Sequence, residues 1–391
     1  MNARALGWDI HRKFSRVSLM EMTSEGKIRA VERARLEHDD KDAMREWLSR
    51  LDPEIPVALE ATFGWPWVAD LLEGLDHAVH LGHPPVIRAL AKHEAKTDRC
   101  DSDRLGKFLL RGILPESYLA PPDVRQHRDR TRYRMALSVL RTGVKNRIQA
   151  ILHRLGILHD FSDLFGKGGR QFLEHLALPE GSAQALRGYL DIHDILTLSL
   201  LSVEAWMKEN LKEDEIVRLL MTIPGIGLIL AHVIRAEIGE SERFPTARHL
   251  ASYAGLAPIS DDTAGREGPR HCSKACNHVL RWALIEAVHG VQRTKGPNGL
   301  RLRKLYARLS VGGRKGAKSS AKVAVAHELS KLVHVVWTKR VPYTNAPPSR
   351  PGSRPGRQPS QRDSKTKTTL RSDQPRHPMV RRRATVGQTL L

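Results

Sequence analysis

Four carboxylates stand out by their surroundings: Asp9 inside the apolar run ALGWDI, Glu60 closing the apolar run PVALE, and Asp98 and Asp101 in KTDRCDSDRL. An aspartate within a strand-like apolar run is costly to bury unless it is paired or bound to a cation. Glu60 ends a second such run just before Ala61-Thr62-Phe63-Gly64, so two strand-borne acids can meet. Asp98 and Asp101, three residues apart at the opening of a helical pattern, share one helix face, and Asp103 points elsewhere. A helix-opening aspartate is by itself also a common cap, so the weight rests on the four together. Oxygen donors of this kind suit a hard cation such as Mg²⁺, held by a few carboxylates with water and substrate phosphates. Phosphodiester chemistry is the expectation.

The elements that must position these acids read as alternating periods. Short β-type runs at ALGWDI, VSLMEM and, after the turn Ser24-Glu25-Gly26, KIRAVERARL predict three successive strands. An amphipathic segment at 39–51, the run at 56–60, a helix near 65–75, the run HAVHLG at 77–82 and the helix carrying Asp101 give the order βββαβαβα. That order predicts a mixed sheet flanked by helices, with ligands near the carboxyl ends of strands.

From 122 to about 220 the pattern is helical, with Leu137, Val144, Ile148, Ile151 and Leu155 among many arginines, and 216–340 reads as mainly helical. The basic faces fit either a solvated surface or contact with nucleic acid. Beyond Val341 the composition shifts to PPSRPGSRPGRQPSQRDSKTK and RRRA, which predicts a disordered basic tail. The division expected is 1–121, 122–215 (helical and coiled-coil-like), 216–340, and a tail over 341–391.

The net charge of +21 and a pI near 10.2 point to a polyanionic partner, nucleic acid first. No stretch approaches the roughly 20 apolar residues of a spanning helix, and the start MNARALGWDIHRK lacks a signal-peptide core. Three cysteines without paired spacing indicate neither a disulfide framework nor a zinc ribbon. A cytoplasmic, nucleoid-associated protein with no membrane partner is expected.

GWDIHRK at the first acid, ALEATFGW at the second and KTDRCDSDRL at the last pair, in order, resemble the insertion-sequence transposases that join a RuvC-like DEDD domain to a C-terminal helical serine-type transposase domain. The resemblance runs over roughly residues 4 to 340. It implies an α/β N-terminal RNase H-like (RuvC-like) domain, then long helices and a mainly α C-terminal domain. It also implies that Asp9, Glu60, Asp98 and Asp101 bind Mg²⁺ and catalyse, that double-stranded DNA (element ends and target) is cut and joined, that a structured guide RNA directs the reaction, and that the protein acts as a homo-oligomer, a dimer or tetramer.

In the C-terminal half, IPGIGLILAHVIRAEIG sets a glycine-rich turn before an apolar helix, resembling a helix-hairpin-helix element in which Gly225 and Gly227 expose amides to phosphate. A tight interhelical turn is the plainer reading. FPTARHLASYAGLAPI, the loop SDDTAGREGPRHCSKACN and VLRWALIEAV also resemble the family, which places a catalytic serine directly before the glycine matching Gly265. This chain has Ala264 there. A covalent step would fall to Thr263, next in line, or to Ser260.

Lys274 could pair with a phosphate and Ser273 reads as structural. Arg281 and Trp282, with Lys315, Lys318 and Lys322, could add basic contacts. His271, Cys272 and Cys276 admit a zinc reading, with the two cysteines one turn apart on a helix. His77, His80 and His83 recur every three residues in a strand-and-loop setting that favours surface histidines. The missing serine leaves two other readings open: a Holliday-junction-type metal nuclease that needs only the acids, and a decayed transposase that binds nucleic acid without strand transfer.

Overall fold

The computed structural model describes residues 3–91, 98–260, 270–273, 275–311 and 316–344, with the backbone alone at 98–100, 259, 260, 270 and 271. Strands β1 (Ala3–Ile10), β2 (Phe14–Met22) and β3 (Ile28–Glu37) form an antiparallel meander. After α1 (Lys41–Leu48), β4 (Val57–Glu60) joins parallel to β1; after α2 (Trp65–Glu73), β5 (Val79–Gly82) joins parallel to β4. The sheet order is β3-β2-β1-β4-β5. Two helices follow, α3 (Pro84–Leu90) and α4 (Asp98–Leu110). The sequence pattern has one helix here; both prolines fit the first turn of the seven-residue α3.

Side-chain alternation divides the sheet. Leu6, Trp8, Val17, Leu19, Val57 and Leu59 face one side and bury against Met44 and Leu48 of α1 and Val68 and Leu72 of α2. Their neighbours of opposite parity, Gly7, Ser18 and Ala58 among them, face α4, where Ala58 packs with Leu105 and Phe108. The exposed side of β5 is covered by the returning chain: the Ser117 amide donates to the Leu81 carbonyl (2.6 Å) and the His83 amide to that of Pro115 (2.7 Å).

Helices α5 (Pro122–Arg154) and α7 (Glu180–Asn210), with the short α6 (Lys167–Glu174), enclose a core of Val144, Ile148, Leu152, Leu186 and Leu190. Arg134 meets Glu204 and Arg154 meets Ser182, so the two long helices run antiparallel. The last core gathers α8 (Glu215–Met221), α9 (Leu228–Ile238), α10 (Ala247–Tyr253), α11 (His278–Arg293), α12 (Leu300–Ser310) and α13 (Ala317–Lys339). Asp214 and Asn277 cap α8 and α11 by accepting from the Val217 and Leu280 amides. Contacts continue past Val341, since the Tyr343 amide donates to Thr222 Oγ1 (2.8 Å). The tail expected to be disordered falls outside the described residues from 345 onward.

Within this helical region, β6 (Pro258–Ser260) and β7 (Arg270–Cys272) pair antiparallel, with Ile259 opposite His271. Thr263, Ala264 and Gly265 fall in sequence between the two strands of a ladder that the sequence pattern does not announce. Those three residues and Lys274 lie outside the described residues; of Ser260 only the backbone is described.

Candidate active site

Strand register sets the first two acids side by side. Trp8 of β1 is the parallel partner of Leu59 of β4, so the next residue of each strand is an acid, Asp9 and Glu60. Parity puts both on the face that α4 covers. Asp9 also stands opposite Arg16 on β2, and His11 Nε2 lies 3.2 Å from Asp9 Oδ2.

The third acid arrives because α4 lies almost on the backbone of β1. A Cβ at Gly7 would stand 1.9 Å from the Ser102 carbonyl oxygen, and one at Gly106 would stand 2.5 Å from Met20 Cγ. Beside this contact the buried hydroxyls of Ser18 and Ser102 are 2.8 Å apart. Asp103, on another face of α4, takes both nitrogens of the Arg33 fork on β3 (2.9 and 2.7 Å). Burial pushes the Asp103 carboxyl up, but Arg33 and the Ser18 hydroxyl outweigh it and hold the group below the usual carboxylate range. It is a fixing point for the helix, consistent with its pointing away from the other acids.

Asp101, partly exposed, accepts from the buried Arg104 (Nη1 to Oδ1, 2.6 Å). Asp98 opens α4 one turn earlier; its side chain lies outside the described set. Glu60 registers the gathering of charge: burial first, then the negative charges of Asp9 and Asp101, push its carboxyl above the ordinary range, against the opposing effect of Arg88 and Arg104. Among the described residues no three metal-ligating side chains already form a cage. The donor set nevertheless fits a hard divalent cation. It consists of carboxylate oxygens, and Glu60 carries a like-charge burden that such a cation would relieve.

The other residues singled out in the sequence separate. Gly225 has φ +85°, and a Cβ there would stand 2.2 Å from the Ala287 carbonyl oxygen, so tight packing of the turn on α11 accounts for this glycine. Gly227 caps α9 with open space beside it. Arg281 donates to the Gly255 carbonyl (2.7 Å), and Trp282 is exposed. Lys318 and Lys322 lie in the first half of α13; Lys315 falls outside the described residues. Cys272 sits on β7 and Cys276 in the approach to α11, not one turn apart on a helix, so the geometry behind the zinc reading is absent. Ser273 accepts from the Ala275 amide, as a structural residue would (3.1 Å). His77 is buried, with Nδ1 3.2 Å from the Ile55 carbonyl oxygen, and His80 meets Glu116, so the three histidines are neither a cluster nor uniformly at the surface.

Several arginines expected at a basic surface instead hold the fold. Arg132 grips the fully buried Glu237 with both nitrogens (2.8 and 2.9 Å), Asn277 Nδ2 donates to the same carboxylate, and Arg128 donates to the Ala236 and Glu237 carbonyls.

A five-stranded sheet of this order, with acids at the ends of its two central parallel strands and on the helix crossing them, defines an RNase H-like DEDD domain, here followed by a mostly helical region. The family described as Transposase, DEDD type of IS110, matches residues 6–157, and the Transposase IS116/IS110/IS902 family matches residues 217–306. Among curated proteins, the chain is 24% identical over 290 residues to the transposase for insertion sequence element IS1328 of Yersinia enterocolitica, covering 73% of this chain and 85% of that one. It is 24% identical to a protein of Pseudomonas aeruginosa named "Probable family 20 transposase", over 64% of this chain and 75% of that one. It is 29% identical over 146 residues to the uncharacterized 43.6 kDa protein of insertion element IS110 of Streptomyces coelicolor, covering 30% and 36%. The chain belongs to the IS110/IS116/IS902 transposase family. Among the described residues no helix is long and apolar enough to cross a membrane.

Proposed function

We propose that this transposase cuts and joins the DNA ends of its own insertion sequence at a Mg²⁺ site made by Asp9, Glu60, Asp98 and Asp101. The observation that carries the reading is the parallel register of β1 and β4, which sets Asp9 beside the half-buried Glu60; the upward push on the Glu60 carboxyl from burial, Asp9 and Asp101 supports it. Mg²⁺ bound there would stabilise the charge that develops on the scissile phosphate and the leaving oxygen. His11 orients the Asp9 carboxylate and Arg104 that of Asp101; both are positioning residues.

Joining requires a nucleophile. A protein hydroxyl gives up its proton and forms a P–O bond as a bridging oxygen of the DNA departs with the bonding pair and takes up a proton; in joining, a DNA hydroxyl attacks the same phosphorus and the protein oxygen departs and is reprotonated. In this chain Thr263 is the residue for that role, with Ser260 the other hydroxyl at hand, since Ala264 has none. Lys274, Gly227 and Arg281 would hold phosphates around it. By the family resemblance, a structured guide RNA directs the reaction and two or four copies assemble; the charge of +21 suits a chain carrying both RNA and DNA. The division at 121, 215 and 340 assigns the acids to the first part and the nucleophile to the third.

The test is Mg²⁺-dependent strand exchange on the element's own ends and flanking RNA, comparing the natural chain with Thr263→Ala, Ala264→Ser and Asp9→Ala. Activity that vanishes in Thr263→Ala and Asp9→Ala is the expected result. Inactivity rescued by Ala264→Ser would identify a decayed enzyme, and strand scission without covalent protein–DNA adducts a metal nuclease.

A further inference from the structure

From Ala287 to His327 the chain carries ten lysines and arginines and neither aspartate nor glutamate. The structure sorts these cations. Arg303 is taken up internally, donating to the carbonyls of Thr294 (2.7 Å), Asn298 (3.0 Å) and Gly296, and so builds the loop that starts α12. Leu302 is buried in the helical core and anchors α12. Arg301, Lys304 and Arg308 are exposed and line one groove of about 490 Å³ with Leu302, Leu305 and Glu328 of α13.

The single acid of that groove does not cancel its charge. Glu328 is bound by Lys331 at 2.7 Å and stands 3.8 Å from Arg301. Lys304 and Arg308 have no acidic partner among the described residues. Three cations at i, i+3 and i+7 span about 10 Å of helix axis, over which one strand of duplex DNA presents about three phosphates. Long basic side chains without acids to pair with gain little from folding, and their self-repulsion is relieved by a polyanion.

We propose that this α12 groove, lined by Arg301, Lys304 and Arg308, binds the phosphodiester backbone of double-stranded DNA without reading its sequence. The proposal rests on the reading of the chain as a protein that acts on DNA, but not on the carboxylate site. The groove holds and orients the duplex while the acids and the nucleophile act on another stretch of it.

The experiment is a titration of the full-length protein against a labelled duplex of arbitrary sequence, in EDTA, across a salt series. The variant Arg301→Gln/Lys304→Gln/Arg308→Gln should keep its thermal unfolding temperature, because the three side chains are exposed. Its slope of log affinity against log salt should fall by about 2–3 units, at about 0.9 for each phosphate the variant no longer neutralises. The control Arg45→Gln/Arg50→Gln removes two exposed cations of the α1 region and should leave the slope unchanged. Lys304→Glu alone provides a second reading should the triple variant unfold, and should weaken binding at every salt concentration.

A triple variant with the parent's slope, or one shifted no more than the control, overturns the proposal. So does unchanged duplex binding with lost adsorption to phosphatidylserine-containing vesicles, which would make the groove a membrane surface. Mg²⁺-dependent cutting by the natural chain is read beside the titration. Failure of the carboxylate site therefore shows as absent Mg²⁺-dependent cutting with binding intact, and failure of the groove as unaltered binding by the triple variant.

Discussion

Gly7 of β1 and Gly106 of α4 lie backbone to backbone: a Cβ on Gly7 would meet the Ser102 carbonyl oxygen at 1.9 Å, and one on Gly106 would lie 3.3 Å from the Gly7 nitrogen. This close approach, more than any property of the acids, sets how near Asp101 comes to Asp9 and Glu60. A helix seated on ordinary side chains would stand farther from the sheet and carry Asp101 away with it.

Gly7→Ala is therefore expected to push α4 outward. Overpacking of this kind costs about 1–3 kcal/mol, readable as a lowered urea midpoint. Strand cutting should fall by more than the loss of folded protein explains. Gly112→Ala, where the only objection is φ +65° with open space around it, should leave cutting per folded molecule unchanged.

Glu60 gives a signed pH dependence. Its folded carboxyl titrates above the unfolded one, chiefly through burial and then through Asp9 and Asp101, so the native state holds the extra proton. Stability of the metal-free protein should decline as pH rises from the unfolded glutamate value, near 4.3, through the raised folded value, and then level off. Glu60→Gln should remove that decline, raising the unfolding temperature at neutral pH in EDTA while abolishing Mg²⁺-dependent cutting. Differential scanning calorimetry over a pH series reads both limbs.

The His127–His232 pair makes the opposite prediction at acid pH. His127 Nε2 is 3.1 Å from His232 Nδ1, whose other nitrogen is 2.9 Å from the Met207 carbonyl oxygen, joining α5, α7 and α9. Burial, then the neighbouring histidine, pushes His127 down to about 4. The native state thus resists a proton that the unfolded chain accepts, and stability from this group is lost as pH falls from about 6.5 toward 4. His127→Gln should flatten that part of the profile.

Arg132→Ala leaves Glu237 fully buried with Asn277 as its one remaining side-chain donor among the described residues. Removing one partner of such a pair costs about 3 kcal/mol, the lower end of the range because Arg132 is half exposed. Restoring neutrality with Glu237→Gln in the same chain should recover part of the loss, which a double-mutant cycle of unfolding free energies would show.

The acids were legible because each is an exception to a local pattern: Asp9 and Glu60 interrupt apolar strand runs, and Asp98 and Asp101 repeat at helical spacing. Strand alternation likewise carried the five strands and their order of appearance. What could not be read depends on residues far apart in sequence. The partners Gly7 and Gly106, or Arg132 and Glu237, are about a hundred residues apart, and neither member is unusual alone. The arginines of α5 looked like a basic face for the same reason, since their buried acceptors lie on α9. The short ladder of β6 and β7 has three residues per strand, too few for a period of two to register.

The most direct test of the carboxylate site is Mg²⁺-dependent cutting of the element's ends by the natural chain, Asp9→Asn, Glu60→Gln and Asp101→Asn, with the exposed Asp42→Asn on α1 as the control. Loss of cutting in the three site variants, parent-like cutting in Asp42→Asn and retained folding in all four is the predicted result. Cutting that persists in EDTA, or that survives Asp9→Asn undiminished, would contradict the account.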